Sequence, residues 1–420
     1  MFKFVHCADL HLDSPLRGLS LREDAPAEAI RSATRRALDN LVDLCIEEHV
    51  RFLVIAGDVF DGDWQDYSTG LFFNACMARL TARDIRVYIV SGNHDAASTI
   101  SRKLLLPGGV HRFSSDQPET FVIDDLQVAL HGQGFKDRVV TQNLVPQYPL
   151  PVPGYFNIGV LHTSLEGHEG HETYAPCTVH DLTAKGYDYW ALGHVHTRQV
   201  IRDTSPCIVY PGNLQGRHIR EIGDKGCTLV TVDSGRIDLQ HRSLDVLRWA
   251  LCEVDLTGTL RAEDVVGRVM SVFQQTTAAN PGYPLALRIR LTGQTALHGS
   301  LLAESEYYLN EIVNAAQQSA IDRIWVEKVI FDTQSEESGQ SLPDRTDAIS
   351  ELDRIIQQTE VRPEFLELFA SEMQTIQMRM PDYVRSEGST VIASAEEVRD
   401  LVSDARDVLV AMLARGGGQP

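Results

Sequence analysis

Five times in its first two hundred residues this chain runs a short apolar segment into an Asp, an Asn or a His. Residues 52–56, Phe-Leu-Val-Ile-Ala, are continuous and apolar, and they give out at Gly57 and Asp58. A run this short and unalternating reads as a strand buried on both faces, the pattern of a parallel sheet covered by helices. In the same way residues 3–7 lead to Asp9 and His11, and residues 86–90 to Gly92, Asn93, His94 and Asp95. Residues 156–161 lead to His162, and residues 189–192 to Gly193, His194 and His196. In open α/β sheets the positions just past the carboxyl ends of strands share one crevice. Five strands would therefore deliver carboxylates, one Asn and five His to one place.

Those residue types narrow the chemistry. Carboxylate oxygen, amide oxygen and neutral imidazole suit Mn²⁺, Mg²⁺, Fe²⁺ or Zn²⁺, and no Cys stands among them. The donors outnumber what one ion can use. Two ions roughly 3.5–4 Å apart would use them, leaving room for a water whose pKa they lower, an arrangement suited to attack on phosphorus. Gly57, Gly92 and Gly193 read as positions where a missing Cβ lets the turn form or the backbone come close.

Asp9 and His11, Gly57 with Asp58, Gly92 to Asp95, His162, and Gly193 with His194 and His196 resemble the five signature motifs of calcineurin-like metallophosphoesterases. The stretch 9–18 and the continuation Val59, Phe60, Asp61 resemble more narrowly the bacterial DNA-repair exonuclease subunits of the SbcD and YhaO type. The resemblance covers about the first 240 residues and implies a four-layer α/β/β/α sandwich. It implies that Asp9, His11, Asp58 and His196 hold one ion and Asp58, Asn93, His162 and His194 the other, with Asp58 as the bridge. His94 would be the catalytic group outside the ligand set, assisting the departing oxygen, with Asp95 orienting its ring. Archaeal and eukaryotic relatives carry a second catalytic His where this chain has Asp61, so Asp61 is a weaker candidate.

Residues 26–49 and 66–82 carry apolar positions near a 3.6-residue spacing and read as crossover helices between the first three strands. From 120 to 130 and from 207 to 239 short strands with Gly and Asp turns suggest a second, mixed sheet. The His- and acid-rich stretch 166–174 reads as a solvated loop, with His168 and His171 as third-choice ligands. The expected domains are a catalytic body at 1–245, a small α+β cap at 246–332, a polar linker at 333–344 and helices at 345–420.

No run approaches the ~18 consecutive apolar residues of a membrane span. The start of the chain lacks a signal-peptide pattern, and seven scattered Cys suit a reducing cytoplasm. A net charge of −20 is unusual for a protein that meets nucleic acid, but 18 acids against 8 bases fall after Phe331. Arg17, Arg217 and Arg220 remain candidates for DNA phosphate contacts, with a solvated face as the alternative.

The function expected is a Mn²⁺-dependent DNA phosphodiesterase, an exonuclease with single-strand endonuclease activity, using two ions and working in DNA repair. The resemblance implies a coiled-coil ATPase of the SbcC or YhaN kind as partner, docked on the C-terminal helices, and the body could form a homodimer. Alternatives are a small-molecule phosphodiesterase of the cyclic-nucleotide type, a phosphoprotein phosphatase, or a scaffold whose nuclease is dormant without its ATPase.

Overall fold

The computed structural model describes residues 1–16, 19, 27–61, 67–97, 104–165, 174–319 and 323–336, with isolated positions between 368 and 409. The first three expected strands are present as β1 (Phe2–Cys7), β2 (Phe52–Ala56) and β3 (Arg86–Val90), joined through helices α1 (Ala27–Glu47) and α2 (Ser68–Thr81). Their side chains alternate between two cores, which is why the runs are apolar throughout. Val5, Leu53, Ile55, Val87 and Ile89 meet Ala37, Leu38 and Leu41 of α1 and Phe73, Met77 and Leu80 of α2. Phe4, Phe52, Val54 and Tyr88 face a second sheet instead, with Phe4 stacked on Phe52 at 4.9 Å and edge-on to Tyr189 at 5.4 Å.

A short helix α3 (Asn93–Ala97) follows β3, and then come β4 (Val110–Arg112), β5 (Glu119–Ile123), β6 (Val128–Gly132) and β7 (Phe156–His162). Helix α4 (Val179–Ala184) leads to β8 (Tyr189–Gly193), β9 (Gln199–Arg202) and β10 (Cys207–Tyr210), and a hairpin of β11 (Gly226–Asp233) and β12 (Arg236–Ser243) follows. Two six-stranded sheets result, in the orders β12-β11-β1-β2-β3-β4 and β5-β6-β7-β8-β10-β9. Each has four parallel strands, β1 to β4 in one and β6, β7, β8 and β10 in the other. Helices α1 and α2 cover the first sheet, and α4 with its neighbouring loops covers the outer face of the second. The fold is thus the expected layered α/β sandwich with two large sheets.

The assignment of strands to sheets departs from expectation. The late hairpin closes the first sheet beside β1, and β7 and β8 supply the centre of the second. The reason lies in β11: Leu229 enters the helix-facing core and Val230 the core between the sheets, so this strand can fill a place covered on both sides. Its partner β12 alternates between exposed and half-buried residues, as an edge strand does.

The chain divides into two compact units, one of residues 1–251, 280–288 and 322–327, the other of 252–279, 289–321 and 328–420. A three-stranded sheet has the order β13-β14-β15, from β13 (Arg248–Asp255), β14 (Leu285–Thr295) and β15 (Ile324–Ser335). Its helices are α5 (Ala262–Ala279), α6 (His298–Ala303) and α7 (Ser305–Ser319), which bury Val265, Val269 and Phe273 of α5 and Tyr308 and Ile312 of α7. Strand β15 runs to Ser335, three residues into the stretch read as linker, because Thr333 is buried and its hydroxyl meets His298 Nδ1 at 2.9 Å. The C-terminal helices expected beyond 345 lie outside the described residues except at isolated positions.

Candidate metal centre

The turns after β1 and β2 run side by side past the strand ends. Asp9 N donates to Gly57 O at 3.0 Å, His11 N to Asp58 O at 3.1 Å and Leu12 N to Val59 O at 3.0 Å. Asp9, His11 and Asp58 take positive φ angles of 52°, 43° and 52°, and His194 one of 98°. Left-handed backbone at a non-glycine residue costs about 1–3 kcal/mol, and four of the ten such residues among those described are residues expected to hold metal.

The structure brings most of the expected residues together from both sheets, while His194 joins none of the groups of ligand atoms among the described residues and meets His162 ring to ring. Asp9, His11 and His196 offer ligand atoms within 4.8 Å of one another, as do Asp9, Asp58 and His162, and also His11, Asp58 and His94. His162 Nε2 lies 3.0 Å from Asn93 Oδ1 and 3.4 Å from Asp58 Oδ2, while its Nδ1 is held by the Ala56 carbonyl oxygen at 2.9 Å. The ring of His194 stands edge-on to that of His162 at 5.2 Å. Asp9 and Asp58 are themselves anchored by backbone donors, His194 N to Asp9 at 3.0 Å and His94 N to Asp58 Oδ1 at 2.9 Å.

One contact tests whether this set suits cations. His11 Nε2 and His196 Nε2 face each other at 3.2 Å, with Asp9 Oδ1 3.8 Å from the latter. Burial first, and then the Arg217 charge, push His11 down to about 3, so its imidazole is neutral at ordinary pH. Two imidazole nitrogens within 3.2 Å of each other beside a carboxylate can share a hydrogen or offer a seat for a divalent ion. The donors fit.

Three expectations change. Asp95, expected to orient His94, accepts instead from the backbone N–H groups of Val59, Phe60 and Gly92 at 3.3, 3.1 and 3.0 Å, clamping the turn after β2. Burial, with Asp58 nearby, pushes it up to about 6. The carboxylate against His94 is that of Asp61, 2.9 Å from Nδ1, and Ser14 Oγ donates to its other oxygen at 2.7 Å. Burial works against a charge on His94, yet Asp61 and Asp58 together outweigh it and raise the pKa.

Arg217, expected as a DNA contact, is mostly buried, its side chain 12% exposed. Its guanidinium donates to Glu221 Oε1 at 3.1 Å and approaches Asp61 Oδ2 at 3.9 Å, so two carboxylates of the site hold its charge. Arg220 is exposed, and Arg17 and the loop 166–173 lie outside the described residues.

Glu221 was not singled out in the sequence. It accepts from His196 Nδ1 at 2.7 Å, Asn213 Nδ2 at 2.8 Å and Arg217 N at 2.7 Å. Burial opposes its charge, but Arg217 and His196 hold its carboxyl well below the usual range. The one available signal was an acid four residues after Arg217 in a stretch without helical or strand periodicity.

Comparison with known proteins gives the family. A family model described as "Calcineurin-like phosphoesterase" matches residues 2–198, and one described as "Metallophosphoesterase YhaO, middle domain" matches residues 249–334. "Uncharacterized metallophosphoesterase YhaO" of Bacillus subtilis is 36% identical over 340 residues, 79% of this chain and 82% of its own. Two proteins called "DNA double-strand break repair protein Mre11" are more distant. That of Methanopyrus kandleri is 26% identical over 314 residues, 66% of either chain. That of Sulfurisphaera tokodaii is 23% identical over 275 residues, 62% of this chain and 67% of its own.

Proposed function

We propose that this chain, which belongs to the calcineurin-like metallophosphoesterases and is a metal-dependent phosphoester hydrolase, is a Mn²⁺-dependent DNA phosphodiesterase that removes nucleotides from ends. The observation that carries the reading is the convergence of Asp9, His11, Asp58, Asn93, His162, His194 and His196 where the strand ends of two sheets meet, with His94 beside them. The identity of two relatives as DNA double-strand break repair proteins supports DNA as the substrate. Bound there, two ions would supply an activated water for attack on phosphorus and offset the charge that develops on its oxygens.

The chain's own residues would do the rest. Asp58 shares one group of ligand atoms with Asp9 and His162 and another with His11 and His94, and it is the proposed bridge between Asp9, His11 and His196 on one side and Asn93, His162 and His194 on the other. His94 is the most open ring of the set, its side chain 36% exposed, while His11 and His162 are at 0%. With Nδ1 engaged by Asp61 and its pKa raised, His94 has Nε2 to hold a proton for the departing oxygen. We further propose that the enzyme works in the cytoplasm in DNA repair, with a coiled-coil ATPase docked on its C-terminal region. All seven Cys are buried and free of disulfides, and no helix among the described residues is long and apolar enough to cross a membrane.

The test is nucleotide release from end-labelled duplex and single-stranded DNA with Mn²⁺, with Mg²⁺ and with chelator, beside His94→Ala. Release that needs Mn²⁺ and falls at least about a hundredfold in the variant is expected. No release, with a small phosphodiester still cleaved, would replace the nuclease by a small-molecule phosphodiesterase or by a subunit that needs its ATPase.

A further inference from the structure

We infer that Glu221 is the positioning residue for His196, and that Arg217 serves this pair as an internal strut instead of contacting DNA. The inference rests on the proposed reading of His196 as a metal ligand. The ring of His196 has two nitrogens, and Glu221 Oε1 takes one of them, Nδ1, at 2.7 Å. An ionised carboxylate only accepts, so Nδ1 carries the hydrogen and Nε2 is left with its lone pair. That lone pair is the atom turned toward His11 Nε2 and Asp9. Glu221 thus selects the tautomer and fixes the ring plane, as carboxylates behind metal-binding imidazoles do.

The surroundings of Glu221 leave its carboxylate one arrangement. Oε2 is fixed by Asn213 Nδ2 and by the backbone N–H of Arg217, and Oε1 is shared by His196 and the Arg217 guanidinium. The 3.2 Å approach of Arg217 to His196 Nδ1 follows from both donors sitting on one oxygen. The guanidinium then reaches Asp61 at 3.9 Å, and Asp61 holds His94 at 2.9 Å. One chain of charges therefore ties the ring expected to bind metal to the ring expected to move a proton. A guanidinium whose charge is held by two carboxylates of the site, with its side chain 12% exposed, is directed inward to Glu221 and Asp61.

The experiment is calorimetric titration of the metal-free full chain with Mn²⁺, comparing wild type, Glu221→Gln and His196→Ala, with thermal melts of each. Gln keeps the shape, but donors face both oxygens, so its amide must oppose either His196 Nδ1 and the Arg217 guanidinium or Asn213 Nδ2 and Arg217 N, and either way the carboxylate's single arrangement is lost. We expect one of two ions to bind about 10–100-fold more weakly in E221Q, the same ion that His196→Ala weakens, while the other is unchanged. Weakening by His196→Ala with wild-type binding in E221Q would overturn the positioning role and leave the ligand reading intact. No weakening in either variant would remove His196 from the ligand set and this inference with it. A measurement independent of any variant's folding is the ¹⁵N shift pattern of histidine-labelled, metal-free wild type. The Nδ1–H tautomer at His196 is required, and the Nε2–H tautomer would refute it.

Discussion

His162 is wholly buried, and every neighbour of its ring nitrogens is an acceptor: Ala56 O on Nδ1, and Asn93 Oδ1 and Asp58 Oδ2 on Nε2. Burial alone would lower its pKa, but Asp58, helped by Asp9 and the Ala56 carbonyl, more than offsets this and raises it to about 9. The His162–Asp58 pair therefore stabilises the metal-free protein fully below about pH 6.5 and is lost as pH rises through about 9. Metal binding runs the other way, because a cation on Nε2 must displace a proton. Mn²⁺ affinity should rise with pH up to about 9, and binding at pH 7 should release close to one proton at this residue. Titrations in buffers of different ionisation enthalpy read that number, and equal release from His162→Gln would contradict it. The residues expected as ligands stood out in the sequence because each ends an apolar run. Their supporting carboxylates were not: Asp95 adjoins His94 in sequence, yet neighbours on a helix point apart, and Asp61 arrives from another turn. Glu221 comes from a stretch with no period to mark it.

Among the elements, strand runs and crossover helices were readable to within a few residues, because two buried faces leave an unbroken apolar signature. Pairing was less readable, since β11 joins β1 across more than two hundred residues and no local pattern names its partner. The glycines record that pairing indirectly. Gly193 ends β8 in one sheet, and a Cβ there would lie 1.9 Å from the carbonyl oxygen of Ala56, which ends β2 in the other. It would also lie 2.9 Å from His162 Nδ1. The two sheets thus meet backbone to backbone beneath the site, and a methyl group must move one of them. Gly193→Ala should cost at least about 1–3 kcal/mol and weaken Mn²⁺ binding as a whole, since the ligands come from both sheets. Gly108→Ala, where a Cβ meets nothing within 4 Å, is the matched control and should melt with wild type. Coincident melts for all three proteins, with metal binding intact, would refute this account of the approach.

For the molecule as a whole, the net charge of −20 was the least informative guide to the substrate, because half of it lies after Phe331. More consequential are the acids gathered inside. Asp9 and Asp58 are both buried and share a group of ligand atoms within 4.8 Å, and burial raises the pKa of Asp9 while Asp58 adds to the rise. Divalent cations offset that cluster in the folded chain, and the unfolded chain does not assemble it. Metal binding is therefore also folding free energy, worth about 2.7 kcal/mol at a free concentration a hundredfold above Kd. For a unit of this size that corresponds to a rise in Tm of about 5–10 °C. Melts with Mn²⁺ and with chelator should show the gap in wild type. Asp58→Ala should close it, because Asp58 reaches both sides of the centre. His94→Ala should keep it while turnover falls. His94 also lies within ligand distance of His11 and Asp58, so loss of the gap in His94→Ala would turn that ring from proton donor into ligand. Its retention, with turnover gone, would separate the chemistry of the site from its assembly.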